Sequence, residues 1–162
     1  VAKQTKITVN LQGLEDFKTK IGKSYKARVG ILGSKAAESH GDGIDNATLG
    51  VIQMFGSITN HIPPRDFLVM PIERNKREIL KTMNSQSVRN AFEAGDYKKV
   101  FSLLGASAVD YVQQAFESGG FGQWPPHAPS TVAKYGAHAL LILSGQLRRA
   151  ITNDVVKKGE KN

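Results

Sequence analysis

Three side chains with ligand chemistry fall within six positions: His40, Asp42 and Asp45. An imidazole and two carboxylates suit a divalent cation, but their spacing matches neither an EF-hand loop nor the two-histidine helix of a zinc protease. The expectation is a solvated loop. Gly119, Gly120 and Gly122 form a second cluster. A phosphate-cradling turn must follow a strand and open a helix, and these glycines lead into Trp124-Pro125-Pro126 instead. Thr131 and Lys134 echo a nucleophile–lysine spacing without any other element of such a site. His61, His127 and His138 sit in loops, and no neighbouring pattern marks a base or an orienting carboxylate. With no cysteine in the chain, disulfides, thiolate metal sites and a cysteine nucleophile are excluded. We expect no catalytic residue, no cofactor and no required metal.

Two residues look suited to contacts rather than chemistry. Trp124 is the only tryptophan and lies between a glycine cluster and two prolines. It is either an aromatic anchor at an interface, where tryptophan is enriched, or a cap on the domain's own core. Arg65 follows two prolines and precedes Phe67 and Leu68. It either faces a partner or makes a local ion pair, while the two apolar residues anchor the segment in the core.

The elements that must position these groups are legible in the pattern. Residues 5–11 alternate, with Ile7, Val9 and Leu11 on one face, as a half-buried strand does. Leu14, Phe17 and Ile21 predict a short helix ending near Gly22. A second strand is expected from Tyr25 to Leu32. The polar, glycine-bearing stretch 33–46 is a long loop. Asn46 is a candidate N-cap for a helix running to Phe55, with Leu49, Ile52 and Phe55 buried and Gly56 ending it. Pro63 and Pro64 stiffen an extended connection, and Pro71 fits the first turn of a long helix to about Ala91. After a turn at Gly95-Asp96, another long helix spans about Tyr97 to Glu117. Residues 118–139 read as a long loop with one helical turn at Thr131–Tyr135. Ser144 is a candidate cap for a short helix over 145–149, before a last strand at 150–156.

These readings give one α+β domain over residues 1–162. It has a small mixed β-sheet, two long helices, projecting loops at 33–46 and 118–139, and a loose basic tail from about residue 157. The chain's 162 residues suit a single core rather than two. No apolar run reaches the length of a membrane span, and the polar N-terminus, beginning at Val1, lacks a signal segment. A chain made in a cytoplasm, with its initiator methionine removed, is expected. Lys plus Arg is 22 against 14 for Asp plus Glu, so the net charge is +8. Such an excess favours an anionic partner, or simply keeps the protein soluble.

Two segments together resemble a known family. The first is Met54-Phe55-Gly56-Ser57, then Ile62-Pro63-Pro64-Arg65-Asp66-Phe67-Leu68, followed by a long helix. The second is Trp124-Pro125-Pro126 with Pro129-Ser130-Thr131-Val132-Ala133-Lys134. It continues to Leu141-Ile142-Leu143-Ser144-Gly145-Gln146-Leu147-Arg148-Arg149-Ala150-Ile151. Across roughly residues 46–156 their order and separation are similar to the virion-morphogenesis and tail-completion proteins of tailed bacteriophages. Met54, Asp66 and Ser144 depart from that family's usual glutamate, proline and threonine.

The resemblance implies a structural, non-enzymatic virion protein of the tail or neck, made in the cytoplasm of a host bacterium. It implies a homo-oligomeric ring, commonly of six subunits, between a tail terminator or tail-tube protein and a head-completion or connector protein. DNA would pass through the channel without sequence-specific binding, and no membrane is involved. Arg65, Trp124, Arg148 and Arg149 are the candidate interface residues. The alternatives are a tail terminator capping tube growth, a basic DNA-binding protein, and, with least support, a hydrolase using the loop histidines.

Overall fold

The structure is a computed structural model and describes residues 24–40, 43–136, 140–142 and 144–159. The strand expected at 5–11, the helix at 14–22, and the end of the basic tail lie outside the described residues. Strand β1, Tyr25–Ile31, pairs antiparallel with β4, Ile151–Lys157, and Arg28 stands opposite Asp154. The remaining elements lie between them in sequence. They are α1 (Ser34–Ala37), β2 (Ser39–His40), β3 (Ile44–Asp45), α2 (Asn46–Phe55), α3 (Val69–Arg74), α4 (Lys76–Lys81), α5 (Gln86–Glu93), α6 (Tyr97–Glu117), α7 (Pro129–Tyr135) and α8 (Gln146–Ala150). A small antiparallel sheet packed against helices makes this an α+β fold. Among the described residues no helix is long and apolar enough to cross a membrane.

Helix α6 is the spine, and both β1 and β4 pack along it. Asp96 caps its start by accepting from the Lys99 N–H at 3.0 Å. Gly105 lets the helix approach the sheet closely, since a Cβ there would lie 2.9 Å from the Asn153 amide oxygen. Further along, Val112, Ala115 and Phe116 join Phe67, Trp124, Leu147 and Ile151 in the main core. Val88, Ala91 and Val100 form a smaller cluster where α5 meets the start of α6.

Several expectations need correction. The helix expected from Pro71 to Ala91 is three helices and a 3-10 turn at Thr82–Asn84. Asn75, at φ −103° and ψ 14°, interrupts it; its backbone N–H still donates to the Pro71 carbonyl at 3.1 Å, and its side-chain amide adds a bond to the same oxygen at 2.8 Å. Ser85 then caps α5, its hydroxyl accepting from the Val88 N–H at 3.3 Å. Asp45, not Asn46, caps α2: its carboxylate accepts from the Thr48 N–H at 2.6 Å. Asn46 is instead fully buried and donates to the Lys35 carbonyl at 2.8 Å. The 33–46 stretch carries α1 and the short β2–β3 pair rather than a structureless loop. The 118–139 stretch holds α7 and sends Trp124 into the core. The N-cap of α8 is Gly145, in the left-handed region, rather than Ser144, whose hydroxyl accepts from the Gln146 N–H at 3.2 Å just before the helix.

Candidate assembly surface

The segment after α2 is rigid by composition. Gly56 takes φ 75°, a left-handed value that favours glycine, and a Cβ there would lie 2.6 Å from the Ile62 carbonyl oxygen. Ser57 and Ile62 then exchange backbone hydrogen bonds at 2.8 and 2.9 Å and close a tight turn. Inside it the His61 N–H donates to the Ile58 carbonyl, and the Asn60 amide donates to the Ser57 hydroxyl. His61 itself adopts φ 53°.

Pro63 and Pro64 lead from this turn to Arg65, which is only 5% exposed. Its Nε donates to the Pro125 carbonyl at 3.0 Å and its Nη2 to the Pro126 carbonyl at 2.9 Å. Its backbone N–H donates to the Gln53 carbonyl in α2 at 2.8 Å. Burial pulls the Arg65 pKa below the ordinary guanidinium value. The next residue, Asp66, takes N–H bonds from Leu68, Val69 and Met70 at 3.1, 2.8 and 3.0 Å and so starts α3. The Asp66 carbonyl in turn accepts from the Trp124 indole N–H at 3.2 Å. That indole stands edge-on to Phe116, with centroids 5.7 Å apart, and Phe116 packs on Phe67 at 5.4 Å.

Arg65 and Trp124, separated by nearly 60 positions, therefore belong to one lock. Both are buried, which favours the core-cap and local-contact alternatives over the partner-facing ones. Trp124 caps its own core, and Arg65 ties two proline carbonyls rather than making an ion pair. Gly120, at φ 69°, makes room for the indole, because a Cβ there would lie 2.3 Å from Trp124 Cδ1. Arg148 and Arg149 sit on α8. Arg148 is held by the Gln113 side chain at 2.6 Å and by the Glu117 carboxylate. Arg149 is exposed.

The loop-chemistry candidates do not converge. Asp45 is spent on its cap, which holds its carboxyl below the usual range. Asp42, His138 and the His40 side chain lie outside the described residues. Among the described residues no group of three or more His, Cys, Asp or Glu side chains could hold a metal. His61 and His127 line a cavity of about 440 Å³, together with Leu49, Gln53, Leu141 and Ile142. Gln53 Oε1 is buried there with no hydrogen-bond partner. Lys134 lies over the ring of its neighbour Tyr135 at 4.8 Å.

A surface the sequence reading missed lies beside the lock. Phe55, expected to be buried, is 70% exposed; Val51, one turn earlier on α2, is 58% exposed; Ile58, at the tip of the tight turn, is 97% exposed. The available signal was the i, i+4 pair Val51 and Phe55, a second apolar stripe on a helix already supplied with one by Leu49 and Ile52. Phe55 and Ile58 border one shallow hollow with Pro63 and Pro64, and exposed apolar side chains in such a setting are candidates for a contact surface. The chain matches no family model, no curated protein and no solved structure.

Proposed function

We propose that the chain is a structural protein of a tailed-phage virion, completing the head-proximal end of the tail or forming the neck at the head–tail junction. It acts by assembling as a homo-oligomeric ring around a DNA channel, between a tail-side and a head-side protein. The observation that carries this reading is the lock. The two segments whose residues resemble the tail-completion family are joined through Arg65 with Pro125 and Pro126, and through Trp124 with Asp66. They form one packed unit, as motifs that belong together should. The outward group Val51, Phe55 and Ile58 supplies an apolar contact surface, and the net charge of +8 suits a wall facing DNA.

The test is the mass of the native protein, with electron microscopy of the same sample. A closed ring, of six 17.6 kDa subunits by the resemblance, is the expected result. A monomer at every concentration, showing strong salt-dependent affinity for duplex DNA, would overturn it in favour of a DNA-binding protein.

A further inference from the structure

The β1–β4 sheet has two strands and two open edges among the described residues. Two strands alone are marginally stable, and an open edge is a template for another strand. The register settles which backbone groups each edge offers. The Lys158 N–H donates to the Ser24 carbonyl, which makes Ser24 and Lys158 a hydrogen-bonded pair. In an antiparallel ladder such pairs alternate. Lys26–Val156, Arg28–Asp154 and Gly30–Thr152 are therefore the hydrogen-bonded pairs within the subunit. The backbone groups of Tyr25, Ala27 and Val29 consequently point away from β4, and those of Asn153 and Val155 point away from β1. No backbone hydrogen bond from these five residues reaches another described element.

We propose that the open edge of β1 in one subunit pairs antiparallel with the open edge of β4 in a second copy, in the same register as within the subunit. This rests on the ring reading above and names the surface that would build it. Parity allows the register: Ala27–Val155 and Val29–Asn153, which exchange no bonds inside the subunit, become the hydrogen-bonded pairs between subunits. Charge favours it as well. Arg28 binds Asp154 of its own chain at 2.8 and 2.5 Å, and both side chains remain over a third exposed. In the proposed pairing each Asp154 lies between its own Arg28 and one from the second copy, so guanidinium and carboxylate alternate along the row. Pairing β1 with itself about its centre would instead set Arg28 against Arg28 or Lys26, and pairing β4 with itself about Asp154 would set like carboxylates face to face, both unfavourable. The contact is head-to-tail, using a different edge on each side, as a closed ring requires.

The chain has no cysteine, so single introduced thiols report cleanly. Full-length Lys26→Cys and Val156→Cys chains, mixed in equal amounts and gently oxidised, are expected to give a disulfide-linked pair of one chain of each kind. Neither variant alone should do so comparably. In parallel, Ala27→Pro removes only an outward N–H and leaves the internal ladder whole, so it should abolish assembly while the monomer keeps its circular dichroism. A ring by mass without the mixed disulfide overturns the edge pairing and leaves the function reading standing. Absence of any ring overturns both. Hydrogen exchange at Ala27 and Val29 that is equally slow at all protein concentrations would assign the edge to the chain's own residues and also overturn the proposal.

Discussion

Replacing Trp124 by alanine is expected to destabilise the isolated subunit strongly. The side chain is 8% exposed, so nearly all of an indole's area is withdrawn from water. At about 25 cal/mol per Å² and on the order of 200 Å², that burial is worth ~5 kcal/mol as an upper figure. Its edge-on contact with Phe116 and its N–H bond to the Asp66 carbonyl are lost together with that area. Aromatic-to-alanine changes in cores cost ~3–5 kcal/mol, and we expect about 4. For a chain of this length that lowers the melting temperature by ~10–15 °C. Trp124→Phe should retain most of the packing and forfeit the hydrogen bond, at a cost of about 1–2 kcal/mol. The assay is thermal and denaturant unfolding of dilute monomer by circular dichroism, with assembly followed separately. If Trp124→Ala leaves the monomer within about 1 kcal/mol of the wild type while assembly disappears, the core-cap assignment is wrong and the indole acts outward.

Other perturbations test the same lock and the sheet. Arg65→Met should cost about 3 kcal/mol in denaturant unfolding, since it strands the Pro125 and Pro126 carbonyls, and Arg65→Lys should recover part of this. Gly56→Ala forces a left-handed alanine against the Ile62 carbonyl and is expected to cost about 2 kcal/mol or more by the same measurement. Arg28 holds the Asp154 carboxyl below its ordinary range, chiefly by their hydrogen bond. A lowered folded-state pKa means that the pair's stabilisation is present above the unfolded value of about 4 and is lost as pH falls through the folded one. Melting temperature against pH should therefore fall less steeply on the acid side in Asp154→Asn than in the wild type.

What the sequence made legible was local. Alternation placed Tyr25, Ala27, Val29 and Ile31 on a strand, and a turn at Gly95-Asp96 with apolar spacing beyond it placed α6. The misreadings came where polar side chains compete with periodicity. Asn75 leaves helical geometry with its side-chain amide on the Pro71 carbonyl, Ser85 takes up the Val88 N–H, and the apolar pattern is divided into three helices at these points. On α2 two apolar stripes overlap, and spacing alone does not say which of them meets the core. Gly50 settles it, because a Cβ there would lie 2.5 Å from the Ile31 Cδ1, which turns that side of α2 inward and leaves Val51 and Phe55 outside. The partner of Arg65 was out of reach for another reason. A carbonyl leaves no mark in a sequence, and a guanidinium beside prolines reads the same whether it faces a protein or its own chain.

That ambiguity bears on how function is divided over the surface. Proline has a carbonyl but no N–H, so in the Trp124-Pro125-Pro126 turn the two proline carbonyls have no proline donor to return a bond. Arginine's planar fork meets both from one side, with Nε on Pro125 and Nη2 on Pro126, where a lysine has a single nitrogen to offer. The indole closes the same joint from the opposite strand of chain, through the Asp66 carbonyl. Arg65 and Trp124 thus tie the two segments together and are buried in doing so. They hold the subunit's shape and have little surface left for a partner. If the chain assembles as proposed, recognition falls to other surfaces, among them the exposed Val51, Phe55 and Ile58 and the edges of β1 and β4. Substituting Phe55 and Ile58 together by aspartate should leave monomer melting within about 1 kcal/mol, since both side chains are mostly in water already. If those residues meet a neighbour or a partner ring, the same change removes that contact, and assembly measured by mass or by co-sedimentation falls. A subunit that melts early in this double variant would show instead that the group supports its own fold.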